Sequence, residues 1–274
     1  MKRNSIFSIT NMLAVLLLLA FGGCDDKNEL VEHNWQLAWQ DEFDVDGAPD
    51  PAKWSYEKGR GPNGDGWGNA ELQTYTDNPE NIIVENGVLK ITALQSGNTY
   101  TSARIITKGL FEKVYGKFEA SIKMPYGPGI WPAFWLLGAD IDQNPWPQCG
   151  EIDIMEYRGQ EPNVIHGSVH GPGYSGGSPV TKSYGLMNDR FDTDFHVFSI
   201  EWTEDYIYYF VDGMIYQKIT PEDVADKGEW VYDHPFFILL NLAVGGNYVG
   251  FPTTETVFPQ TMEVDYVRVY SRSE

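Results

Sequence analysis

Strand-period alternation recurs along most of this chain and helical periodicity hardly at all, and that narrows the fold more than any other feature. From Val114 to Met124, residues Val114, Gly116, Phe118, Ala120, Ile122 and Met124 share one side of an extended backbone, and Tyr115, Lys117, Glu119, Ser121 and Lys123 share the other. Such a segment reads as a half-buried strand. Further strand-like runs cover 81–84, 88–94, 131–137, 151–157, 164–170, 195–202, 206–211, 235–242 and 262–270. Asn86-Gly87 and Asp212-Gly213 each separate two apolar runs, a strong hairpin signal because glycine accepts positive φ. The one helical signal is a turn at 221–225. With 28 Gly and 16 Pro breaking helices and strand interiors alike, and no repeat or low-complexity linker between 35 and 274, one all-β domain of two packed antiparallel sheets is expected.

Charge and the first residues bound the setting. The chain has 39 acidic against 19 basic residues, a formal charge of -20, which repels phosphate backbones and anionic headgroups and excludes nucleic acid as a partner. Residues 1–23 open with Lys2 and Arg3, continue in an apolar run from Met12 to Phe21 and end in small residues, the order of an export signal. The run is shorter than the roughly 20 residues a bilayer-spanning helix needs. Gly22-Gly23-Cys24 resembles a bacterial lipoprotein box, although Phe21 and Gly22 depart from its usual residues. The resemblance implies lipidation at Cys24, a polar tether over 24–34, and a membrane-anchored protein in the periplasm or on the outer surface of a Gram-negative bacterium. Asp25, Asp26 and Lys27 resemble the acidic signals that send such lipoproteins outward. Cys149 is then the only thiol left, so stability is expected from core packing, with a metal as a further source, rather than from disulfides.

Chemistry concentrates in Gly150-Glu151-Ile152-Asp153-Ile154-Met155-Glu156-Tyr157. In a regular strand Glu151 and Asp153 share a face while Ile152 and Ile154 point into the core, which leaves Glu156 on the wrong side. One extra residue at Ile154-Met155, a β-bulge, would return Glu156 to the face of the other two carboxyls. Clustered like charges cost folding energy unless they share protons or bind something. Retaining glycoside hydrolysis uses two carboxyls about 5 to 5.5 Å apart, one as nucleophile and one as proton donor. A carboxyl between them can exchange a proton with either. The same pattern also suits a solvated acidic strand or a metal site.

The Glu151–Glu156 segment resembles the signature of glycoside hydrolase family 16, in the bulged form of its laminarinase-like members. Similar stretches recur along the domain: Trp39-Gln40-Asp41-Glu42-Phe43, Asn69-Ala70-Glu71-Leu72-Gln73-Thr74-Tyr75, Tyr115-Gly116-Lys117-Phe118-Glu119, Trp131-Pro132-Ala133-Phe134-Trp135, Asn241-Leu242-Ala243-Val244-Gly245-Gly246 and Asp265-Tyr266-Val267-Arg268-Val269-Tyr270. The resemblance implies a concanavalin-like β-jelly roll with a substrate cleft on its concave face. It makes Glu151 the nucleophile, Glu156 the acid/base and Asp153 their assistant, in an endo-acting hydrolase of β-1,3-glucan that needs no cofactor for catalysis.

A glucan cleft needs aromatic plates for sugar C–H faces and polar groups for hydroxyls. By the resemblance, Trp146 is the plate beside the cleaved sugar, Trp131 and Trp135 line neighbouring positions, and Asn69 and Arg104 are polar subsite residues. His170 lies near Glu156, where it could bond substrate or tune the acid. Many members carry a structural calcium, for which Glu42, Gly87 and Asp265 fall at matching places, and oxygen ligands suit that ion. A monomer acting on a neutral polysaccharide is expected. The alternatives are a mixed-linkage glucanase, an agarase, or a carbohydrate-binding protein on the same sandwich. Two intact glutamates weigh against the last.

Overall fold

The computed structural model describes residues 33–273, in which two β-sheets face each other. The larger, ten-stranded sheet runs in the order Met214–Ile219, Ile207–Val211, His196–Trp202, Gly116–Lys123, Gln260–Arg272, Val88–Ser96, Thr99–Ser102 and Gln73–Tyr75. Trp35–Asp41 also pairs with Gln260–Arg272, and Ile82–Glu85 with Val88–Ser96. The smaller, eight-stranded sheet runs Val180–Gly185, Val164–His170, Glu151–Tyr157, Ile130–Gly138, Phe236–Val244, Arg104–Ile106 and Ser55–Tyr56, with Glu112–Lys113 paired to Phe236–Val244. Among the described strands only Gln73–Tyr75 and Thr99–Ser102 pair in parallel. Neighbours distant in sequence lie side by side, as Gly116–Lys123 does between His196–Trp202 and Gln260–Arg272. The molecule is a jelly-roll sandwich.

Alternation places the core between the sheets. Phe118, Ala120 and Ile122 are fully buried and Met124 nearly so, while Lys117 and Lys123 stay on the outer face. Glu119 on that outer face is also buried, because Tyr266 donates to it at 3.2 Å and Lys117 pairs with it at 2.7 Å. Phe236–Val244 is buried at all nine positions. Phe236, Ile238, Leu240, Leu242 and Val244 enter the main core, whereas Phe237 and Leu239 join Ile106, Leu137 and Cys149 in a second apolar cluster. Burial pushes the Cys149 thiol up to about 12, so it packs as an inert apolar group.

Both hairpin signals are realised. Asn86 and Gly87 take φ of 56° and 76°, and Asp212 and Gly213 take 50° and 76°, the paired positive values that suit a two-residue turn between right-twisted strands. The α-helix occupies Pro221–Val224 with Thr220 and Asp223 closing its first turn in a capping box. No helix among the described residues is long and apolar enough to cross a membrane. The expected signal, Cys24 and most of the tether lie outside the described residues.

Candidate active site

Register turns a sequence pattern into a site. Between Glu151–Tyr157 and Ile130–Gly138, Phe134 pairs with Met155 but Trp135 pairs with Asp153, so Ile154 is the extra residue. The other neighbour agrees: Asp153 pairs with Ser168 and Glu156 with His166, three steps against two. Ile152, Ile154, Met155 and Tyr157 all sit in the core, with Ile154 and Met155 consecutive there. The bulge therefore presents Glu151, Asp153 and Glu156 on one face of the smaller sheet.

Each carboxyl has its own partners. Trp131 donates its indole N–H to Glu156 Oε1 at 3.1 Å. His170 Nε2 lies 3.1 Å from Asp153 Oδ2 and 3.8 Å from Glu151 Oε1. The Gly176 backbone N–H donates to His170 Nδ1 at 3.1 Å. A ring nitrogen that accepts carries no proton, so this contact places the imidazole proton on Nε2, facing the carboxyls. Trp146 is 42% exposed, with its ring 6.2 Å from that of His170.

Burial dominates the electrostatics. It pushes Glu156 up to about 8, with help from the Asp153 charge and against His170, the Trp131 hydrogen bond and Arg158. Burial and the Glu151 charge lift Asp153 to about 7. Glu151 is also raised by burial, but His170 and hydrogen bonds from Asp153 and Trp146 pull it back. Burial disfavours a charged His170, yet the Asp153 bond and the three carboxyl charges outweigh it and raise its proton affinity. The Gly176 amide limits that gain, since a second ring proton would confront its N–H. The cluster thus holds Glu156 as an acid beside a carboxyl that ionises more readily.

One arm of the cleft extends over Phe236–Val244 and Arg104–Ile106. Trp135 donates to Asn241 Oδ1 at 2.7 Å, Asn241 donates to the Tyr75 hydroxyl at 3.2 Å, and Tyr75 reaches Glu71 at 3.4 Å. Asn69 donates to Glu71 at 3.2 Å. Arg104 is 7% exposed, with its guanidinium 4.5 Å from the Trp67 ring and 4.7 Å from the Trp135 ring, and it pairs with Glu57 at 2.6 Å. Arg104 thus sits between two indoles and props them as a stack. Trp67 lies in the irregular turn Gly66–Ala70, at φ of 57°. Nothing in its local sequence signals that role. Tyr248, Arg158 and Gly176 are the other site residues the sequence reading leaves out.

The calcium expectation fits poorly at Glu42. Arg268 donates to both of its carboxylate oxygens at 2.8 Å, and that bond lowers the Glu42 pKa. The Glu42 side chain is therefore engaged and does not serve as a free cation ligand. Gly87 lies in its hairpin turn and Asp265 is exposed. Among the described residues, the group with metal-ligand chemistry that comes together is Glu151, Asp153 and His170. There Nε2 already carries a proton, which suits proton sharing rather than cation binding.

A β-sandwich with a buried, proton-sharing carboxyl cluster on one sheet face, flanked by indoles, defines a glycoside hydrolase. Residues 69–268 match the model of glycosyl hydrolases family 16, and the chain belongs to that family. It is 42% identical to a β-glucanase of Rhodothermus marinus over 98% of this chain and 95% of the relative. An endo-β-1,3-glucanase structure from Pyrococcus furiosus superposes with a TM-score of 0.85 at 48% identity, covering 90% of this chain and 98% of the other. The laminarinase catalytic domain of Thermotoga maritima gives 0.83 at 49% identity, covering 88% of this chain and all of the other.

Proposed function

We propose that the protein is a retaining endo-β-1,3-glucanase acting on laminarin-like glucan, with Glu151 as nucleophile and Glu156 as acid/base. The observation that carries this reading is the Ile154 bulge, which sets Glu156 on the face of Glu151; burial raises both carboxyls, and His170 with the hydrogen bonds from Asp153 and Trp146 draws Glu151 back. Glu151 attacks the anomeric carbon while Glu156 gives its proton to the departing glycosidic oxygen, leaving a glycosyl–enzyme ester. Glu156, now ionised, takes a proton from water as that water attacks the same carbon and releases Glu151. Asp153 and His170 hold the proton balance between the two steps, and no cofactor takes part. The substrate assignment draws support from the named activities of the relatives and from the arrangement of Trp131, Trp135 and Trp146.

Azide separates the two roles. Glu156→Ala with azide should yield a β-glycosyl azide, because azide intercepts the ester, and Glu151→Ala should yield the α-product. Identical stereochemistry from both overturns the assignment. Parallel digests of laminarin, mixed-linkage glucan and agarose test the substrate: a rapid viscosity drop on laminarin supports internal cutting, and attack on agarose alone refutes the glucan reading. Export and anchoring through Cys24 are inferred from the apolar run before Gly22-Gly23-Cys24. Cys24→Ala should move the mature protein to the soluble fraction, and unchanged partitioning argues against lipidation.

A further inference from the structure

The wall of the cleft behind Glu156 contains a chain of contacts that no step above uses. The Trp131 indole, whose N–H meets Glu156 Oε1, packs against Tyr248 with ring centroids 5.0 Å apart. The Arg158 guanidinium lies over the Tyr248 ring, 4.2 Å from the centroid, and Tyr248 meets the His166 ring edge-on at 6.0 Å. The loop that holds Tyr248 is fixed from both sides. Asn247 donates its backbone N–H to Asn69 O at 2.8 Å, and Gln160 donates to Val249 O at 3.0 Å. Gly246, at φ of 123°, leaves room that a Cβ would not, since it would come 2.9 Å from Asn69 O.

The consequence lies in which oxygen of Glu156 bears the proton. In a protonated carboxyl the carbonyl oxygen is the better acceptor, so an Oε1 that accepts from the indole N–H favours the acid proton on Oε2. We propose that Tyr248, backed by Arg158, is a positioning residue for the acid: it holds the Trp131 indole so that Oε1 is capped and Oε2 delivers the proton to the leaving group. This inference rests on the reading of Glu156 as acid/base. Several charged or titratable groups face Glu156: Glu151 and Asp153 from its own strand, Arg158 just past that strand's end, His166 and His170 from Val164–His170, Tyr209 from Ile207–Val211 and Tyr248 from the loop.

The test compares two substrates with purified full-length variants: laminari-oligosaccharides, whose sugar leaving group needs a proton, and a dinitrophenyl β-glycoside, whose phenolate leaves without one. Tyr248→Ala should lower kcat on the oligosaccharide by about tenfold or more, part of the range that general acid catalysis supplies, with KM near wild type. Its kcat/KM on the dinitrophenyl substrate should stay near wild type. Tyr248→Phe keeps the ring and should restore activity on the oligosaccharide. Trp131→Phe keeps the plate but loses the N–H that favours ionised Glu156, so the alkaline limb of kcat/KM should move to higher pH. Equal losses on both substrates, a rise in KM alone, failure of the Phe rescue, or an unmoved alkaline limb in Trp131→Phe overturns the proposal. Glu156→Ala, run alongside, must lose far more kcat/KM on the oligosaccharide than on the dinitrophenyl substrate. If it does not, the acid/base reading of Glu156 is what fails.

Discussion

At the scale of single residues, the acid is maintained at a cost in stability whose sign is fixed. Glu156 has an ordinary value of 4.5 and is pushed to about 8 in the folded state. Between those values the folded protein binds more protons than the unfolded chain, so the group's contribution to stability falls as pH rises through that window. Glu156→Gln removes the ionisation and keeps the shape. Its melting temperature should match wild type near pH 4 and exceed it near pH 8, read by scanning calorimetry. A gap of equal size at both pH values would show that burial of the charge is not the cause. Trp146 tests the plate beside the site. At 42% exposure it contributes little to the core, so Trp146→Ala should leave the melting temperature close to wild type. Loss of an aromatic platform worth about 1 to 3 kcal/mol should lower kcat/KM on laminarin by about five- to 150-fold. A large drop in stability with unchanged kinetics would instead place Trp146 in the packing.

At the scale of elements, the bulge is a testable device. Deleting Ile154 removes the extra residue and restores strict alternation, leaving Glu151, Asp153 and Glu156 still on one face. Ile154 and Met155 are 1% and 0% exposed, so losing one buried side chain should cost about 2–5 kcal/mol. The expected variant is folded, less stable and still measurably active. Deleting Ile152 makes Glu151 and Asp153 adjacent, puts them on opposite faces and should abolish hydrolysis; residual activity there would defeat the register argument. This strand was legible in the sequence because the apolar residues and the carboxyls obey two incompatible alternations that only one inserted residue reconciles. Glu151–Tyr157 and Val164–His170 form over the spans the apolar pattern predicts. Val180–Gly185 carried no such signal. It is an edge strand of Thr, Lys and Ser, held partly by Ser168 donating to Thr181 at 2.9 Å and by the Ser183–His166 contact at 3.0 Å. Thr99–Ser102 and Arg104–Ile106 are likewise too short for a period to show. The Arg104 stack needed Trp67 from a left-handed turn, and the Tyr248 wall needed a loop after Gly245-Gly246. Those contacts join residues far apart in sequence, where no local pattern records them.

At the scale of the whole molecule, the formal charge of -20 surrounds a cleft whose guanidinium groups are already engaged. Arg104 is paired with Glu57 and held between Trp67 and Trp135, and Arg158 lies over Tyr248 and within 3.7 Å of Glu161. Neither is disposed to meet an anionic sugar without giving up a partner. A neutral glucan has no net charge for this field to act on, whereas a polyanion is repelled on approach over a distance set by the Debye length, about 10 Å at 0.1 M salt. Carboxymethylated β-1,3-glucan should therefore have a lower kcat/KM than the neutral polymer at about 0.05 M NaCl, and the difference should narrow by about 0.5 M as screening shortens the repulsion. Over the same range, kcat/KM on neutral laminarin should change less than about twofold. If the two substrates respond alike to salt, the acidic surface plays no part in selecting the substrate, and discrimination lies wholly in the contacts within the cleft.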